Sequence, residues 1–285
     1  MYRILADMAP LKIVVVGTIR NGAKAIRNEI QSLKRILEPL AEVFFFVVES
    51  DSSDDTPKIL DNISKEITNF SYKSLGKLES EIPNRIERLI FCRNIYVREI
   101  RESLTFQEAD FVIVVDLDGV NKKLNTKEIH FSLSRKVTWA ALSANQSGKY
   151  YDLLALRHKY WCPNNVFDEY HWLREMMYWK KAKKRAIYEK MYRIPRNMGL
   201  IPVDSAFGGF AIYRTHYLLN YDYSRLPRDE SSDIDHVILN RRIVESGGRI
   251  YIDSQLINTG WTRHSLSSFS LFRGLVDLKR IFIRE

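Results

Sequence analysis

The chain has 285 residues, 45% of them hydrophobic and 28% charged, with 44 Lys+Arg against 35 Asp+Glu and a net charge of +9. That composition excludes disorder, and the length buries a core that needs no disulfide or metal staple. The two cysteines, Cys92 and Cys162, lie far apart and form no CxxC, and no apolar run reaches a membrane span.

The opening MYRILADMAPLK lacks the apolar core of a signal peptide, so a reducing, cytoplasmic setting is expected. The charge leaves nucleic acid, anionic lipid and a phosphorylated ligand open as partners.

Ile13 to Val16 is a β-branched run that predicts a strand ending at Gly17-Thr18. Ile26, Ile30, Leu33 and Leu37 follow at helical spacing, stopped by Pro39. Val43 to Val48 predicts a second strand, closed by the polar turn ESDSSDD. Thr56 reads as a helix N-cap, with Pro57 at the first helical position and Ile59, Leu60, Ile63 and Ile67 on one face. A weaker strand near Phe70 to Leu75 precedes a helix marked by Ile86, Leu89, Ile90, Val97 and Ile100. Phe111 to Val115 is a fully apolar strand ending at Asp116. Continuous apolar strands separated by amphipathic helices indicate an α/β fold, with a mainly parallel sheet covered on both faces. Ligands of such sheets bind beyond the carboxyl ends of the strands. That rule selects the turns Thr18 to Asn21, Glu49 to Asp55 and Asp116 to Asn121.

In the second half, Trp139 to Asn145 and Tyr150 to Leu156 predict strands around the turn Gln146-Ser147-Gly148. Asp168 to Arg193 is a basic, aromatic-rich helical stretch, and Ala206 to Tyr213 a strand containing Gly208-Gly209. Asp235 to Val244 predicts a helix ended by Gly247-Gly248, and Ile250 to Ile252 a short strand before NTGWTRH. The last residues, SLFRGLVDLKRIFIRE, alternate apolar and basic at roughly helical spacing. No repeat or low-complexity linker separates the halves, so one sheet shared by both is expected.

Asp116-Leu117-Asp118 carries the strongest chemical signal. Two carboxylates one residue apart at a strand terminus reach into one cleft and suit a hard cation bridging a diphosphate. Against this stands a plain solvated turn, since DxD strings are common by chance. In VVESDSSDDT the acids suit hydrogen bonds from a base amide or ribose hydroxyls. Helix capping accounts for Thr56 and for Asp54 or Asp55, but less readily for Glu49 and Asp51.

VVESDSSDDT resembles the VVDDGSTDDT-type turn of GT-A glycosyltransferases of the family-2 kind. Cys92-Arg93-Asn94 is similar to their helical ARN element, and VVDLDGV falls where their DxD motif falls. The order of motifs most resembles the capsule-associated α-1,3-mannosyltransferases of fungi and their bacterial relatives. Those proteins show an ES-S-D-T turn, an RN helix, a YD-x-x-A-x-R strand and a later small-residue strand. Here these are Glu49-Ser50 to Thr56, Arg93-Asn94, Tyr151 to Arg157, and Gly208-Gly209-Phe210. The resemblance spans roughly residues 11 to 265.

It implies a single GT-A, Rossmann-like domain over 1–265, with a nucleotide-binding half at about 11–121, an acceptor half at about 122–265, and a basic amphipathic tail at 266–285. The implied reaction moves a hexose, mannose among the candidates, from a GDP- or UDP-linked donor to a hydroxyl of a surface-glycan precursor. Carried over by position, Thr18, Arg20, Asn21, Glu49 and Asp51 would hold the donor. Arg93 would contact the nucleotide or support the DxD loop. Asp116 would approach ribose or metal, and Asp118 would ligate Mn²⁺ or Mg²⁺. The fungal pattern has NDV where this chain has DLDGV, which points toward metal and away from a fixed mannose donor. A C-terminal His often completes the metal site of GT-A enzymes, and His264 matches it better than His236 or His158. A surface role for His264 weighs equally.

In inverting family-2 enzymes the base is an acid at the start of a late helix. SSDIDHVILNRR matches that segment and makes Asp235 the candidate, with Asp233 two residues before it. Either residue also suits a simple N-cap. A retaining course, as in the fungal relatives, needs no such base. Asn145, Gln146, Tyr151, Asp152 and Arg157 form a polar cluster suited to a sugar acceptor or to buried strand positions. Trp161 and Trp261 offer stacking faces. Gly208 and Gly209 mark a close backbone approach to a ligand or a bulge.

The helix HWLREMMYWKKAKKRAIYEKMYR suits an anionic membrane interface bearing a lipid-linked acceptor, or a solvated face over a Met/Trp/Tyr core side. The tail is a second candidate for membrane or oligomer contact. Neither segment carries a sequence-reading nucleic-acid motif, so no nucleic-acid partner is expected. A non-catalytic nucleotide-sugar or glycan-binding protein on the same scaffold is the alternative function.

Overall fold

A computed structural model describes residues 10–229, 232–262 and 265. The strands are β1 (Leu11–Ile19), β2 (Ala41–Glu49), β3 (Phe70–Ser74), β4 (Phe111–Val115), β5 (Ala141–Gln146), β6 (Leu200–Val203), β7 (Phe210–Arg214) and β8 (Ile250–Thr259). They form an eight-stranded sheet in the order β3-β2-β1-β4-β7-β5-β8-β6. The helices are α1 (Ile26–Leu37), α2 (Thr56–Glu66), α3 (Arg85–Glu102), α4 (Leu104–Gln107), α5 (Thr126–Leu133), α6 (Val166–Met176), α7 (Trp179–Ala186), α8 (Thr215–Asn220) and α9 (Asp235–Glu245). The fold is α/β with a mostly parallel sheet flanked by helices, as the alternating pattern predicts. The chain divides into two compact units. The first holds residues up to Gly119 with Asn125–Ser134 and Ile212–Asp222, and the second holds Val120–Leu124, Arg135–Ala211 and residues from Tyr223 on.

In the first unit β1 runs parallel to β2 from Leu11↔Ala41 to Ile19↔Glu49, and parallel to β4 from Ile13↔Phe111 to Val16↔Val114. β3 continues the parallel run along β2. Every residue of β4 is buried, as are Ile13 to Gly17. Successive strand side chains point to opposite faces, so unbroken burial means that both faces are covered. Ile26, Ile30, Leu33 and Leu37 are the buried stripe of α1, at the spacing read from the sequence.

Gly17 sets how closely β1 lies against β4. A Cβ there would stand 2.6 Å from the Val115 carbonyl oxygen and 2.8 Å from Leu117 Cδ1. A backbone oxygen in a buried strand has no room to yield. Gly17→Ala is therefore expected to destabilise by about 2 kcal/mol, as overpacking of a dense core does. A thermal unfolding midpoint equal to that of the wild type would contradict this.

Thr56 is not the N-cap. It is the first residue of α2, fully buried, and its hydroxyl accepts from the Gly22 amide at 2.8 Å. Asp54 takes the capping work, its Oδ1 accepting from the Thr56 amide at 3.1 Å. A carboxylate two residues before the helix meets the free amide more strongly than a hydroxyl already engaged elsewhere.

In the second unit β8 runs parallel to β5 and antiparallel to β6. The β5–β8 register shifts after Ala144↔Asp253. Asp253, fully buried, receives the Arg135 guanidinium at 2.6 and 3.1 Å and the Gln255 amide at 3.1 Å. β8 has ten residues where three were expected, because polar Asp253, Ser254 and Asn258 are interior. β6 is an edge strand of four residues containing Pro202, which hid it from pattern reading.

Tyr150 to Leu156 is irregular rather than a strand. The segment is apolar because it is buried, yet Asp152 and Arg157 turn to bind backbone groups, and the Leu153 amide closes on the Tyr151 carbonyl at 2.9 Å. The stretch from Asp168 to Arg193 is α6, α7 and a short 3-10 turn at Tyr188–Lys190, interrupted where Met177 is extended. Pairing of the strand expected from Ala206 begins only at Phe210, after Gly208 and Gly209 at φ 71° and 88°.

Candidate active site

The first unit gathers its polar side chains where the rule for parallel sheets puts a ligand, at the carboxyl ends of β1, β2 and β4. The turns after β1 and β2 are laced together. Asn21, at φ 53°, accepts from the Ser53 amide at 2.7 Å, and its own amide donates to Ser52 Oγ at 3.0 Å. Asp54 Oδ2 accepts from the Ala23 amide at 3.1 Å. Desolvation pushes the Asp54 carboxyl up, but hydrogen bonds from the Thr56 hydroxyl and the Thr56 and Ala23 amides outweigh it and hold the pKa below its ordinary value.

Glu49 ends β2 and is 1% exposed. Its Oε1 accepts from the Ser52 amide at 3.1 Å, and its Oε2 accepts from the Ser74 hydroxyl. Asp51, at φ 58°, is buried and accepts from the Glu79 amide at 2.9 Å. Arg88 Nε stands 3.6 Å from Asp51 Oδ2, and its Nη1 donates to the carbonyls of Ile82 at 2.7 Å and Pro83 at 2.8 Å. Arg88 thus pins the 75–84 loop over the end of β2. Arg20 reaches the same loop at Glu79, 3.2 Å away, with both side chains about half exposed. Sequence reading missed Ser74, Glu79 and Arg88, since nothing local links them to Glu49 and Asp51.

At the end of β4 the strand alternation persists for three more residues. Leu117 is 2% exposed beneath Gly17, whereas Asp116 and Asp118 on either side of it reach solvent. Arg93, 4% exposed on α3, places Nη2 4.0 Å from Asp116 Oδ1 and donates to the Tyr96 hydroxyl at 3.2 Å. Two exposed hard-oxygen carboxylates are a donor set that a divalent cation also binding phosphate oxygens accepts. No group of three His, Cys, Asp or Glu able to hold a metal occurs among the described residues. His264 lies outside those residues, as does the 266–285 tail. Cys92 is inert: burial pushes its thiol pKa up, and Ser50 Oγ lies 3.5 Å from its sulfur.

The second unit holds the remaining candidates. Asn145 is fully buried and engaged. Its Nδ2 donates to the carbonyls of Ser254 at 3.0 Å and Ile194 at 3.2 Å, and its Oδ1 accepts from the Gln146 amide at 2.7 Å. Arg157, 9% exposed, donates to the carbonyls of Leu154 and Leu156 and pairs with Asp233 at 3.0 Å. Asp233 also receives Arg241, so it is a structural acid. Asp152 accepts from the Gly208 amide at 2.8 Å, and the Tyr151 hydroxyl donates to the Gly208 carbonyl at 3.4 Å. Both side chains are half-buried and set the Gly208-Gly209 turn. A Cβ on Gly209 would meet Val120, the Tyr151 hydroxyl and Asn258 at 3.1 to 3.4 Å.

Asn258, unrecognised in the sequence, is fully buried and donates to Gly208 O at 2.8 Å and Asn121 Oδ1 at 3.0 Å. Asp235 is 3% exposed at the first position of α9, and its Oδ1 accepts from the His236 amide at 3.0 Å. The His236 ring stacks on Phe207 at a centroid distance of 3.7 Å. Trp161 is stacked on Tyr192 and donates to the Lys190 carbonyl, whereas Trp261 is 48% exposed above Gly148.

No family model matches the chain, and no curated protein matches it. Among solved structures it is similar to residues 1–349 of TarS from S. aureus, at 15% identity and a TM-score of 0.48 over 94% of this chain and 65% of that one. The mannosyltransferase PcManGT from Pyrobaculum calidifontis, in complex with GDP-Man and Mn²⁺, aligns at 15% identity and a TM-score of 0.49 over 89% of this chain and 59% of that one. Mannosyl-3-phosphoglycerate synthase from Rubrobacter xylanophilus aligns at 11% identity and a TM-score of 0.43 over 96% and 76%. The chain thus spans less than two thirds of the TarS and PcManGT chains.

Proposed function

We propose that the chain is a GT-A glycosyltransferase, moving a hexosyl group from a GDP- or UDP-linked donor to a hydroxyl of a glycan or lipid-linked precursor. The observation that carries this reading is the pair of exposed carboxylates, Asp116 and Asp118, at the end of buried β4 beside buried Arg93. That arrangement suits a diphosphate held through a cation, and buried Glu49 and Asp51, both hydrogen-bonded within the protein, shape the loops on the nucleoside side. Asp118, with Asp116, would hold Mn²⁺ or Mg²⁺, which when bound supplies positive charge to the departing diphosphate. Arg93 lies 4.0 Å from Asp116 and supports the loop that carries both carboxylates. Thr18, Arg20 and Asn21 form the donor-side wall after β1. In the second unit Tyr151 and Asp152 shape the acceptor turn around Gly209, Asn145 and Arg157 brace the backbone near it, and Trp261 offers a face for a sugar ring.

The direct test is incubation with a panel of nucleotide-diphospho-sugars, Mn²⁺ and glycan acceptors. Donor-dependent release of nucleoside diphosphate that stops on chelation is the expected result. Failure of every nucleotide to bind with either cation overturns the proposal.

Asp235 is proposed as the base that takes the acceptor proton while the acceptor oxygen bonds to the sugar and the diphosphate leaves. Asp235→Asn keeps the oxygen that accepts from the His236 amide, so the helix start survives. Its turnover is expected to fall by about 10²-fold, the usual worth of a positioned base. Donor affinity should not change. Wild-type turnover would remove Asp235 from that role and assign the proton to the donor phosphate.

A further inference from the structure

We propose that the α6–α7 corner is an attachment surface for an anionic lipid bilayer. Eight of the fourteen exposed large apolar side chains among the described residues fall between residues 160 and 198. The cluster is tightest at the corner itself, where Trp172, Met176 and Tyr178 are 59%, 59% and 64% exposed and Trp179 is 37% exposed. Trp172 and Met176 stand four residues apart, hence on one face of α6. The inward side of this hairpin is already filled by Val166, Leu173, Ala182 and Ala186, all buried. The exposed rings therefore do not serve this unit's core.

Charge surrounds the same rings. From Trp172 to Arg193 the sequence holds eight Lys or Arg and two Glu, a net of +6 out of the chain's +9. Lys180, Lys181, Lys184 and Arg185 are exposed on α7. Lys180 Nζ lies 5.3 Å from the Trp179 ring centroid, so cation and ring form one surface. Aromatic side chains that seat at headgroup depth, ringed by cations that meet anionic phosphates, are the pattern of an interfacial contact. No helix among the described residues is long and apolar enough to cross a membrane. A second copy of the chain is a poor occupant, because a face of this charge repels itself. Single-stranded nucleic acid also takes aromatic and basic surfaces, but Met176, at the centre of this one, offers no face on which a base stacks.

The test uses the full chain at low salt, with vesicles of phosphatidylcholine alone and with phosphatidylglycerol admixed. Co-sedimentation with the anionic vesicles only, lost at high salt, with a blue shift of tryptophan emission, is expected. Two variants separate the contributions: Trp172→Ser with Trp179→Ser, and Lys180→Gln with Lys181→Gln, Lys184→Gln and Arg185→Gln. Each should lower partitioning by at least about tenfold. All these side chains are exposed, so unfolding midpoints should hold. Failure of the wild type to bind anionic vesicles overturns the proposal. So does wild-type binding by both variants, which would move the contact to the 266–285 tail. Capture of a single-stranded oligonucleotide without capture of vesicles overturns it as well.

Discussion

Asp118→Ala is expected to reduce sugar transfer by at least about 10³-fold, equivalent to about 4 kcal/mol of barrier. The size follows from what the carboxylate is proposed to do. A cation that neutralises the leaving diphosphate acts mainly as charge develops, so its loss falls on turnover rather than on substrate encounter. Asp118 is exposed, so the unfolding midpoint should stay at the wild-type value. Binding of nucleoside diphosphate should lose its dependence on Mn²⁺. Asp116→Ala should differ in kind, because Arg93 Nη2 sits 4.0 Å from Asp116 and is only 5% exposed on its side chain. Removing Asp116 deprives a buried guanidinium of a neighbouring anion, so that variant should lose stability as well as transfer. Full activity in Asp118→Ala, measured by nucleoside diphosphate release, would refute the assigned role.

The residues differ in how far the sequence revealed them, and for physical reasons. β1, β2, β4 and α1 were legible because burial on both faces demands unbroken apolar strands, and burial on one face demands the 3.6-residue stripe. The strand ends followed from the same pattern: Asp116 and Asp118 come after an apolar run and leave the sheet, whereas Glu49 is the last paired residue of β2 and stays buried. The 150–156 segment failed for the opposite reason. Its apolar residues are buried, but Asp152 and Arg157 bend the chain through hydrogen bonds to Gly208, Leu154 and Leu156 that no periodicity encodes. Thr56 failed because its hydroxyl is engaged by Gly22, 34 residues away. Arg88 and Asn258 were invisible because each looks like an ordinary helix or strand residue until Asp51, or Gly208 and Asn121, meets it.

Arg135→Ala is expected to destabilise the second unit strongly, by about 3–5 kcal/mol, because it removes the bidentate cation partner of fully buried Asp253. The pair is bidentate, with side-chain exposures of 17% for Arg135 and 0% for Asp253. Asp253 also marks the last regular β5–β8 pair before the register shifts toward Asn258, which holds the Gly208 turn. Loss of Arg135 should therefore loosen the Gly209 region as well as lower the unfolding midpoint. A second variant separates charge burial from packing. Arg135→Met with Asp253→Leu removes both ions and keeps most of the volume, and such replacements are often neutral in buried pairs. Here the Gln255 amide also loses its acceptor, so the double variant should sit about 1 kcal/mol below wild type. Recovery of most of the lost stability in the double variant is the expected result, measured by denaturant unfolding. A double variant as unstable as Arg135→Ala would mean that the pair holds the β8 register through its hydrogen-bond geometry, not through the cost of a stranded charge.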